Sequence, residues 1–277
     1  MNIIDQGNST YPIVRVKQDQ GVAVNDQLAV EEPLEIRLGY TDPARGRQHK
    51  SISITMRTPG MDVELAMGFL FTERLIDNRH SVRSIDSSKP NVIRIELDDE
   101  TRVDAIRLER HFYTTSSCGI CGKASLEALS LNGVDPLESA QAKINGATLR
   151  ALPEMLASNQ PLFRITGGNH GVALFDPQGN ILRTAEDVGR HNAMDKIIGS
   201  LLMEDRLPLQ EFGILVSGRA SFELLQKVLA AGCPLFAAIG APSSLAVELA
   251  QEFNITLVGF LDKSGFNIYH GQDNITL

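Results

Sequence analysis

Two cysteines three positions apart are the residues of this chain best suited to covalent chemistry. Cys118 and Cys121 stand among glycines and small polar residues, and the segment after them, Lys123–Leu131, is rich in helix formers. The sequence therefore predicts a loop that carries both thiols and runs into a helix N-terminus. Unpaired N–H groups at such an end, together with the ammonium group of Lys123, favour the thiolate. An accessible thiolate suits the acceptance and transfer of a soft group.

Several kinds of site use a C-x-x-C pair. A structural zinc site needs about four ligands, of which two lie here and His111 would supply a third. A thioredoxin-like dithiol normally follows an early strand of a βαβ unit, whereas this pair follows a strand-rich half. A nucleic-acid deaminase requires H-x-E before P-C-x-x-C, and neither His170 nor His191 begins that pattern. Sulfur carriage as a cysteine persulfide stays open, beside incidental surface thiols, which oxidise readily.

Four further segments carry glycines, cations or imidazole groups of the kind that hold an anion. The glycines of Thr166–Gly171 permit close backbone approach, and Arg190–Asn192 begin a predicted helix, where N–H groups attract anions. Ser217–Ser221 and Gly259–Gly265 each follow a predicted strand, and such loops form the ligand crevice of open α/β sheets. Singly, each segment is explained as well or better by a solvated turn, or by a charged helix end capped by Asp187. Together they predict a site for a nucleotide-like anion.

The first half of the chain is predicted to be a mixed, strand-rich unit. Glu31–Leu38 and Ser51–Met56 alternate apolar and polar residues as strands do, with a polar turn over Thr41–Lys50. Asp62 starts a helix with a broad apolar stripe, and Asn91–Leu97 is predicted to be another strand. This unit would precede the cysteine segment.

Beyond a Gly-, Pro- and Asn-containing stretch at 133–146, the pattern becomes regular. Val172–Phe175 and Ile181–Thr184 are predicted to pair across a turn, and a helix with Met194 and Leu202 on its apolar face follows. Three short apolar runs then alternate with helices: Gly213–Val216, Pro234–Ile239 and Ile255–Phe260. This alternation is typical of a buried, largely parallel sheet. We therefore predict domains at residues 1–140 and 141–277.

Composition limits the class of protein. The chain has 277 residues, of which 43% are hydrophobic, enough for one large core or two smaller ones. A net charge of −8 argues against bulk binding to nucleic acid. Residues 1–10 lack a signal pattern, and no apolar stretch is long enough to span a bilayer. Three cysteines do not suggest a secreted disulfide framework. We expect a cytoplasmic protein without nucleic-acid or membrane partners, in which Cys233 is a buried small residue.

Taken together, the motifs resemble those of the FdhD/NarQ family of formate dehydrogenase accessory sulfurtransferases. The likeness extends over most of the chain, and the order of the motifs is more specific than any one of them. The segments that carry it are Glu31–Leu34, Met56–Gly60, Glu64–Leu70, Cys118–Cys121, Thr166–His170, Glu186–Asn192, Ser217–Arg219 and Val258–Phe260.

The resemblance implies that a cysteine desulfurase donates sulfur to Cys118 as a persulfide, with Cys121 assisting or also carrying sulfur. The sulfur would pass to the molybdenum cofactor bis(molybdopterin guanine dinucleotide), bound as a substrate, before the cofactor enters formate dehydrogenase. The resemblance also implies a homodimer. The fold would be α/β (α+β overall), with a cytidine-deaminase-like, three-layer C-terminal domain without zinc ligands and a smaller β-rich N-terminal domain.

The residues expected to bind the cofactor come from the anion-binding segments and the family's cofactor loop at Phe260–Gly265. Within them, Arg219 would hold phosphate with a planar fork and Lys263 with a point charge. The full set is Thr166, Gly167, Gly168, His170, Arg190, His191, Asn192, Ser217, Arg219, Phe260, Leu261, Asp262, Lys263, Ser264 and Gly265.

Two other functions compete with sulfur transfer. A chaperone would carry the molybdenum cofactor without sulfur chemistry, and substitution of either cysteine would then leave formate dehydrogenase maturation intact. A structural zinc protein would retain about one zinc ion per chain on purification. The sequence leaves both alternatives open.

Overall fold

The computed structural model describes residues 6–101, 103, 135–137 and 143–277. The predicted catalytic pair, Cys118 and Cys121, lies outside the described residues, as do Lys123 and His111. Within the described part, strands and helices are mixed, which confirms the α/β (α+β overall) class.

The N-terminal part contains a two-stranded ribbon, a four-stranded sheet and one helix. Its elements are β1 (Asn8–Lys17), β2 (Gln20–Ala29), β3 (Glu32–Asp42), β4 (Gly46–Arg57), α1 (Asp62–Thr72), β5 (Val82–Asp86) and β6 (Val92–Leu97), with a 3₁₀ turn at Arg79–Ser81. The sheet order is β4-β3-β6-β5. Alternate residues of β3, from Leu34 to Leu38, are fully buried against α1, because a strand sends successive side chains to opposite faces.

The predicted strands of this half are confirmed, but two of them are longer than predicted. β3 and β4 continue through most of the stretch expected to be a turn, and a three-residue turn at 43–45 joins them. The pattern missed this extension because polar residues face solvent on both strands there. The ribbon formed by β1 and β2 was not predicted.

The second half forms a larger sheet with helices on both faces. Its elements are β7 (Ile144–Asn145), α2 (Gly146–Ser158), α3 (Pro161–Thr166), β8 (His170–Phe175), β9 (Ile181–Asp187), α4 (Arg190–Met203), β10 (Gly213–Val216), α5 (Phe222–Ala230), β11 (Leu235–Ala238), α6 (Ser244–Glu252), β12 (Thr256–Gly259), β13 (Asn267–His270) and β14 (Ile275–Thr276), with a 3₁₀ turn at Gln272–Asn274. The predicted strands and helices of this half are confirmed.

The six-stranded sheet has the order β13-β12-β11-β10-β8-β9 and is mixed. β10, β11 and β12, which helices connect, run parallel, whereas β8, β9 and β13 add antiparallel pairings. The prediction of a largely parallel sheet was therefore wrong. A helical crossover returns the chain in the same direction, but the short connections on either side can only form hairpins.

The larger sheet is the middle layer of three. On one face, Ile214 and Val216 pack with α4, α5 and α6, and on the other face Leu215 packs with α2. This arrangement confirms the three-layer prediction.

The helices α1 and α4 join the two sheets. Gly68 of α1 and Gly199 of α4 face the other helix so closely that an added Cβ at either position would overlap its backbone. Leu202 of α4 belongs to the core of the four-stranded sheet. The division at residues 140 and 141 stays a prediction.

Candidate functional site

Three loops at the carboxyl ends of the parallel strands are tied together by main-chain atoms. The Gly240 N–H donates to the Gly218 carbonyl at 2.9 Å, and the Phe260 N–H donates to the Gly240 carbonyl at 3.1 Å. An added Cβ on Gly240 would lie 2.9 Å from the Gly218 carbonyl oxygen, so this approach requires glycine. The loop after β10 and the loop after β12 therefore belong to one edge.

The antiparallel strands bring two more segments to that edge. β8 begins beside the end of β10, where Ser217 Oγ accepts the Gly171 N–H at 2.9 Å. His170 is paired with Asp187 at the end of β9, and α4 begins three residues later at Arg190. All four predicted segments thus meet at one edge of the sheet, which we call the ligand edge. Their contact with a ligand stays a prediction.

The loop after β12 has a fixed shape of its own. Asp262 Oδ1 accepts the N–H groups of Ser264 at 2.6 Å and Gly265 at 3.0 Å, as well as the Ser264 hydroxyl. These bonds, led by those from Ser264, lower the pKa of Asp262, so the carboxylate stays ionised. Lys263 is exposed, and Phe260 is 53% exposed with a φ of 52°. Leu261, in contrast, has its side chain fully buried in the core.

Arg190 and His191 occupy the first turn of α4. His191 Nε2 lies 3.1 Å from a carboxylate oxygen of Glu223 on α5, and this bond lowers the pKa of Glu223. Arg190 Nε is buried without a hydrogen-bond partner among the described residues. Arg219 in the neighbouring loop is exposed. The edge therefore offers cations and helix N–H groups to an anion, despite the net negative charge of the chain.

His170 lies between these groups and is half-buried. Burial lowers its pKa below the ordinary value of 6.5, the charges of Arg190 and His191 lower it further, and Asp187 opposes them. An uncharged imidazole at neutral pH is the consequence. Such a ring is able to accept or donate a hydrogen bond beside a bound anion without adding a charge.

Asp187 at the end of β9 and Lys196 on α4 form a buried network rather than the solvated face that the capped-helix alternative implies. Asp187 is completely buried and pairs with Lys196 Nζ at 2.7 Å. Its other oxygen accepts the N–H of Gly189, the residue that precedes α4, at 2.8 Å. The Thr58 N–H donates to Asp187 at 3.1 Å, and the Thr58 carbonyl accepts from Lys196 at 2.9 Å. The network therefore crosses from the N-terminal part to the ligand edge.

Asn192 belongs to the same buried network. Its Oδ1 accepts the Thr55 hydroxyl at 3.0 Å, and its Nδ2 donates to the Met56 carbonyl at 2.7 Å and to Asp187 at 3.0 Å. The side chain that we expected to bind cofactor thus joins α4 to β4. This role was not predicted, although the motifs Met56–Gly60 and Glu186–Asn192 contain residues that meet here.

Cys233 is the free cysteine of the described part, and it confirms the prediction of a buried small residue. Burial raises the pKa of its thiol to about 12. Its Sγ donates to the Phe212 carbonyl at 3.3 Å. A protonated thiol in the core is unsuited to sulfur exchange.

Two kinds of feature are absent from the part of the chain that the structure describes. No group of three or more His, Cys, Asp and Glu side chains is arranged to hold a metal ion. None of the helices there combines the length and apolar character needed to cross a membrane.

The sequence matches the model of the FdhD/NarQ family over residues 29–276, nearly the whole chain. The chain belongs to the FdhD/NarQ family. It is 46% identical to a protein of Mycolicibacterium paratuberculosis named sulfur carrier protein FdhD, over 98% of this chain and 99% of that one. A protein of the same name from Saccharolobus solfataricus is 40% identical, over 96% of this chain and 97% of its own.

A solved structure agrees with the fold. The crystal structure of a protein from Desulfotalea psychrophila, assigned as a formate dehydrogenase accessory protein, superposes with a TM-score of 0.73. It is 22% identical and matches 97% of this chain and 99% of its own. At this identity the likeness supports the fold.

Proposed function

We propose that this chain is a sulfurtransferase of formate dehydrogenase maturation. It accepts sulfur from a cysteine desulfurase as a persulfide on Cys118 and transfers it to bis(molybdopterin guanine dinucleotide). The observation that carries the proposal is the ligand edge, where four separate sequence segments meet around cations and the first-turn N–H groups of α4. Relatives of similar length that are named sulfur carrier proteins support the sulfur chemistry. The setting we propose is the cytoplasm, with a homodimer as the working form.

The sulfur-accepting step needs a thiolate and no cofactor. The Cys118 thiolate attacks the terminal sulfur of the donor persulfide, a new S–S bond forms, and the desulfurase cysteine leaves as a thiolate. Cys118 then holds one additional sulfur atom, and Cys121 assists or carries a second one. Because the Cys233 thiol is buried and protonated, it does not compete for the donor.

The ligand edge would hold the cofactor, which is the substrate here, by its phosphates. The first turn of α4 supplies N–H groups, and Arg190, Arg219 and Lys263 supply positive charge. The Asp262 turn presents the 260–265 loop in one conformation, so the cost of ordering it on binding is small.

The test is intact-protein mass spectrometry after incubation with a cysteine desulfurase and L-cysteine. The wild type should gain one reducible sulfur atom where Cys121 only assists and two where Cys121 also carries sulfur. Cys118→Ala should lose the atom held by Cys118, and Cys121→Ala separates an assisting role from a carrying one. Cys233 is present in all three proteins and serves as an internal control. Retention of the wild-type number of added sulfur atoms in Cys118→Ala would refute the assignment of Cys118 as a carrier.

The cofactor chaperone is the second candidate, because the described residues of the ligand edge offer charges and N–H groups that suit an anion without the help of a thiol. Under that function, Cys118→Ala and Cys121→Ala would support formate dehydrogenase maturation as well as the wild type. Loss of maturation in Cys118→Ala, with retained binding of guanosine diphosphate, excludes it. Guanosine diphosphate is a suitable probe because it represents the nucleotide part of the proposed substrate.

A further inference from the structure

Thr58 lies in the segment between β4 and α1, far along the chain from the ligand edge, yet its polar atoms are bonded there. Its side chain is fully buried. The hydroxyl oxygen accepts the Asn169 amide at 2.9 Å and the Val188 N–H at 3.1 Å. Its N–H and carbonyl are bonded to Asp187 and Lys196. One small side chain therefore links the loop before β8 to the turn before α4.

The segment that carries Thr58 is itself firmly held. The guanidinium of Arg57, 2% exposed, forms a two-pronged bond to Asp62 at 2.9 and 2.8 Å and donates to Asn91 at 2.8 Å. Planar pairing of this kind fixes direction as well as distance. Because Pro59 follows, the backbone at Thr58 has little freedom to turn away.

Asn169 connects Thr58 to the two glycines of the 166–170 loop. Its side chain is buried, and its Oδ1 lies 3.2 Å from the Thr166 hydroxyl, which in turn accepts the Gly168 N–H at 3.2 Å. Thr166 also bonds to the Leu162 carbonyl at 2.8 Å, so its single proton is shared. The position of Gly167 and Gly168 thus depends on a residue of the N-terminal part.

We infer that Thr58 is a positioning residue for the ligand edge, which aligns the 166–170 loop with the start of α4 without touching the ligand. The expected consequence of this alignment, tighter nucleotide binding, rests on the proposed function. The alignment of the two loops by Thr58 does not. The N-terminal part then contributes to affinity at a site formed by the C-terminal sheet.

The deciding substitution is Thr58→Val, which keeps the shape and removes the hydroxyl. It leaves the Asn169 amide and the Val188 N–H without their buried acceptor, so both loops should loosen. We expect guanosine diphosphate to bind roughly tenfold more weakly by calorimetry. In the ligand-free protein, the amides of residues 167–171 and 188–190 should exchange hydrogen roughly tenfold faster. Thr58→Ser restores the hydroxyl and should recover both values.

The matched control is Thr72→Val, which also removes a hydroxyl, here a partly buried one, between the N-terminal part and α4. Thr72 is bonded to Asp195 at 3.0 Å and Lys227 at 2.8 Å, away from the ligand edge. Thr72→Val should lower the melting temperature while leaving nucleotide affinity and amide hydrogen exchange at residues 167–171 unchanged. An equal effect of Thr72→Val on affinity and exchange would show that general stability, rather than alignment, is responsible, and would overturn the inference.

The exchange measurement keeps the inference separate from the proposed function. If the wild type fails to bind guanosine diphosphate, the proposed substrate site is wrong, but faster exchange in Thr58→Val alone still supports alignment. Unchanged exchange in a folded Thr58→Val protein refutes alignment whether or not nucleotide binds.

Discussion

Lys196 and Asp187 form a deeply buried ion pair. Both are almost fully buried, and the remaining donor capacity of Lys196 goes to the carbonyls of Thr58 and Glu186. A buried pair adds little when compared with an apolar pair, but removal of one partner leaves an isolated charge in the interior. The consequence of mutation is therefore asymmetric.

Replacement of Lys196 by Met should destabilise the protein by about 3–5 kcal/mol, because Asp187 is left buried without its cation. Urea denaturation measures the change. Arg183→Ala is the matched control: it breaks the surface pair with Glu204, two bonds of 2.9 Å between partly exposed side chains. That loss should be about 1 kcal/mol or less. Equal losses in the two variants would contradict the buried role of Lys196.

His170 gives a pH-dependent prediction. Its pKa is lower in the fold than in the unfolded chain, so the unfolded state binds more protons on acidification. The stability that neutral His170 contributes is present above its ordinary pKa of 6.5 and is lost as the pH falls through the lowered value. When the pH is lowered from about 7.5 to about 5.5, the melting temperature of His170→Asn should therefore fall less than that of the wild type. Parallel melting curves over that range would show that His170 titrates normally.

At the scale of elements, the crossing of α1 and α4 is closer than ordinary side chains allow. A methyl group at position 199 would overlap the Glu64 carbonyl, and one at position 68 would overlap the Asp195 carbonyl. Glycine costs about 1 kcal/mol of helix propensity relative to alanine. The close packing of the two helices evidently offsets that cost.

Gly199→Ala should destabilise the protein by roughly 1–3 kcal/mol, although alanine is the better helix former, because the helices must separate. Chemical denaturation gives the value. Gly265→Ala is the control, because an added Cβ there meets nothing within 4 Å, and its effect should be within about 0.5 kcal/mol. A stabilised Gly199→Ala protein would mean that the crossing is looser than described.

Most of the strands and helices could be predicted from the sequence, because the order of apolar and polar residues in each one follows which of its faces are buried. The runs at β10, β11 and β12 are apolar except for Thr256, as expected of strands that are covered on both faces. The ribbon at β1 and β2 could not be recognised in this way, because Val14, Val16 and Val22 are more than half exposed and no buried face imposes a pattern. The Thr58 contacts join residues more than 100 positions apart, and no local rule predicts such a pairing.

At the scale of the whole molecule, the ligand edge carries positively charged side chains although the net charge of the chain is −8. Two exposed cations, Arg219 and Lys263, stand on adjoining loops of the ligand edge. A negatively charged protein would repel an anionic ligand at long range, so local cations must act over a short distance. Affinity should depend on these side chains and on ionic strength.

The double variant Arg219→Gln/Lys263→Gln should bind guanosine diphosphate roughly tenfold more weakly in dilute salt, with a smaller loss of affinity as salt is added. Titration at two salt concentrations measures both. Arg45→Gln, in the exposed turn between β3 and β4, removes a cation elsewhere and should leave affinity unchanged. Equal weakening by the control would point to net charge instead of local contact.

Main-chain hydrogen bonds connect Gly218, Gly240 and Phe260, and they affect how the loops of this fold can change in evolution. Since every residue type except proline supplies the same N–H and carbonyl, mutation can exchange the side chains on these loops without altering how the loops are spaced. Descendants of one ancestor are thus free to change which molecule they recognise while inheriting the same frame. Gly240 is the exception, because the space above it admits no Cβ, and it should be the slowest of these positions to diverge.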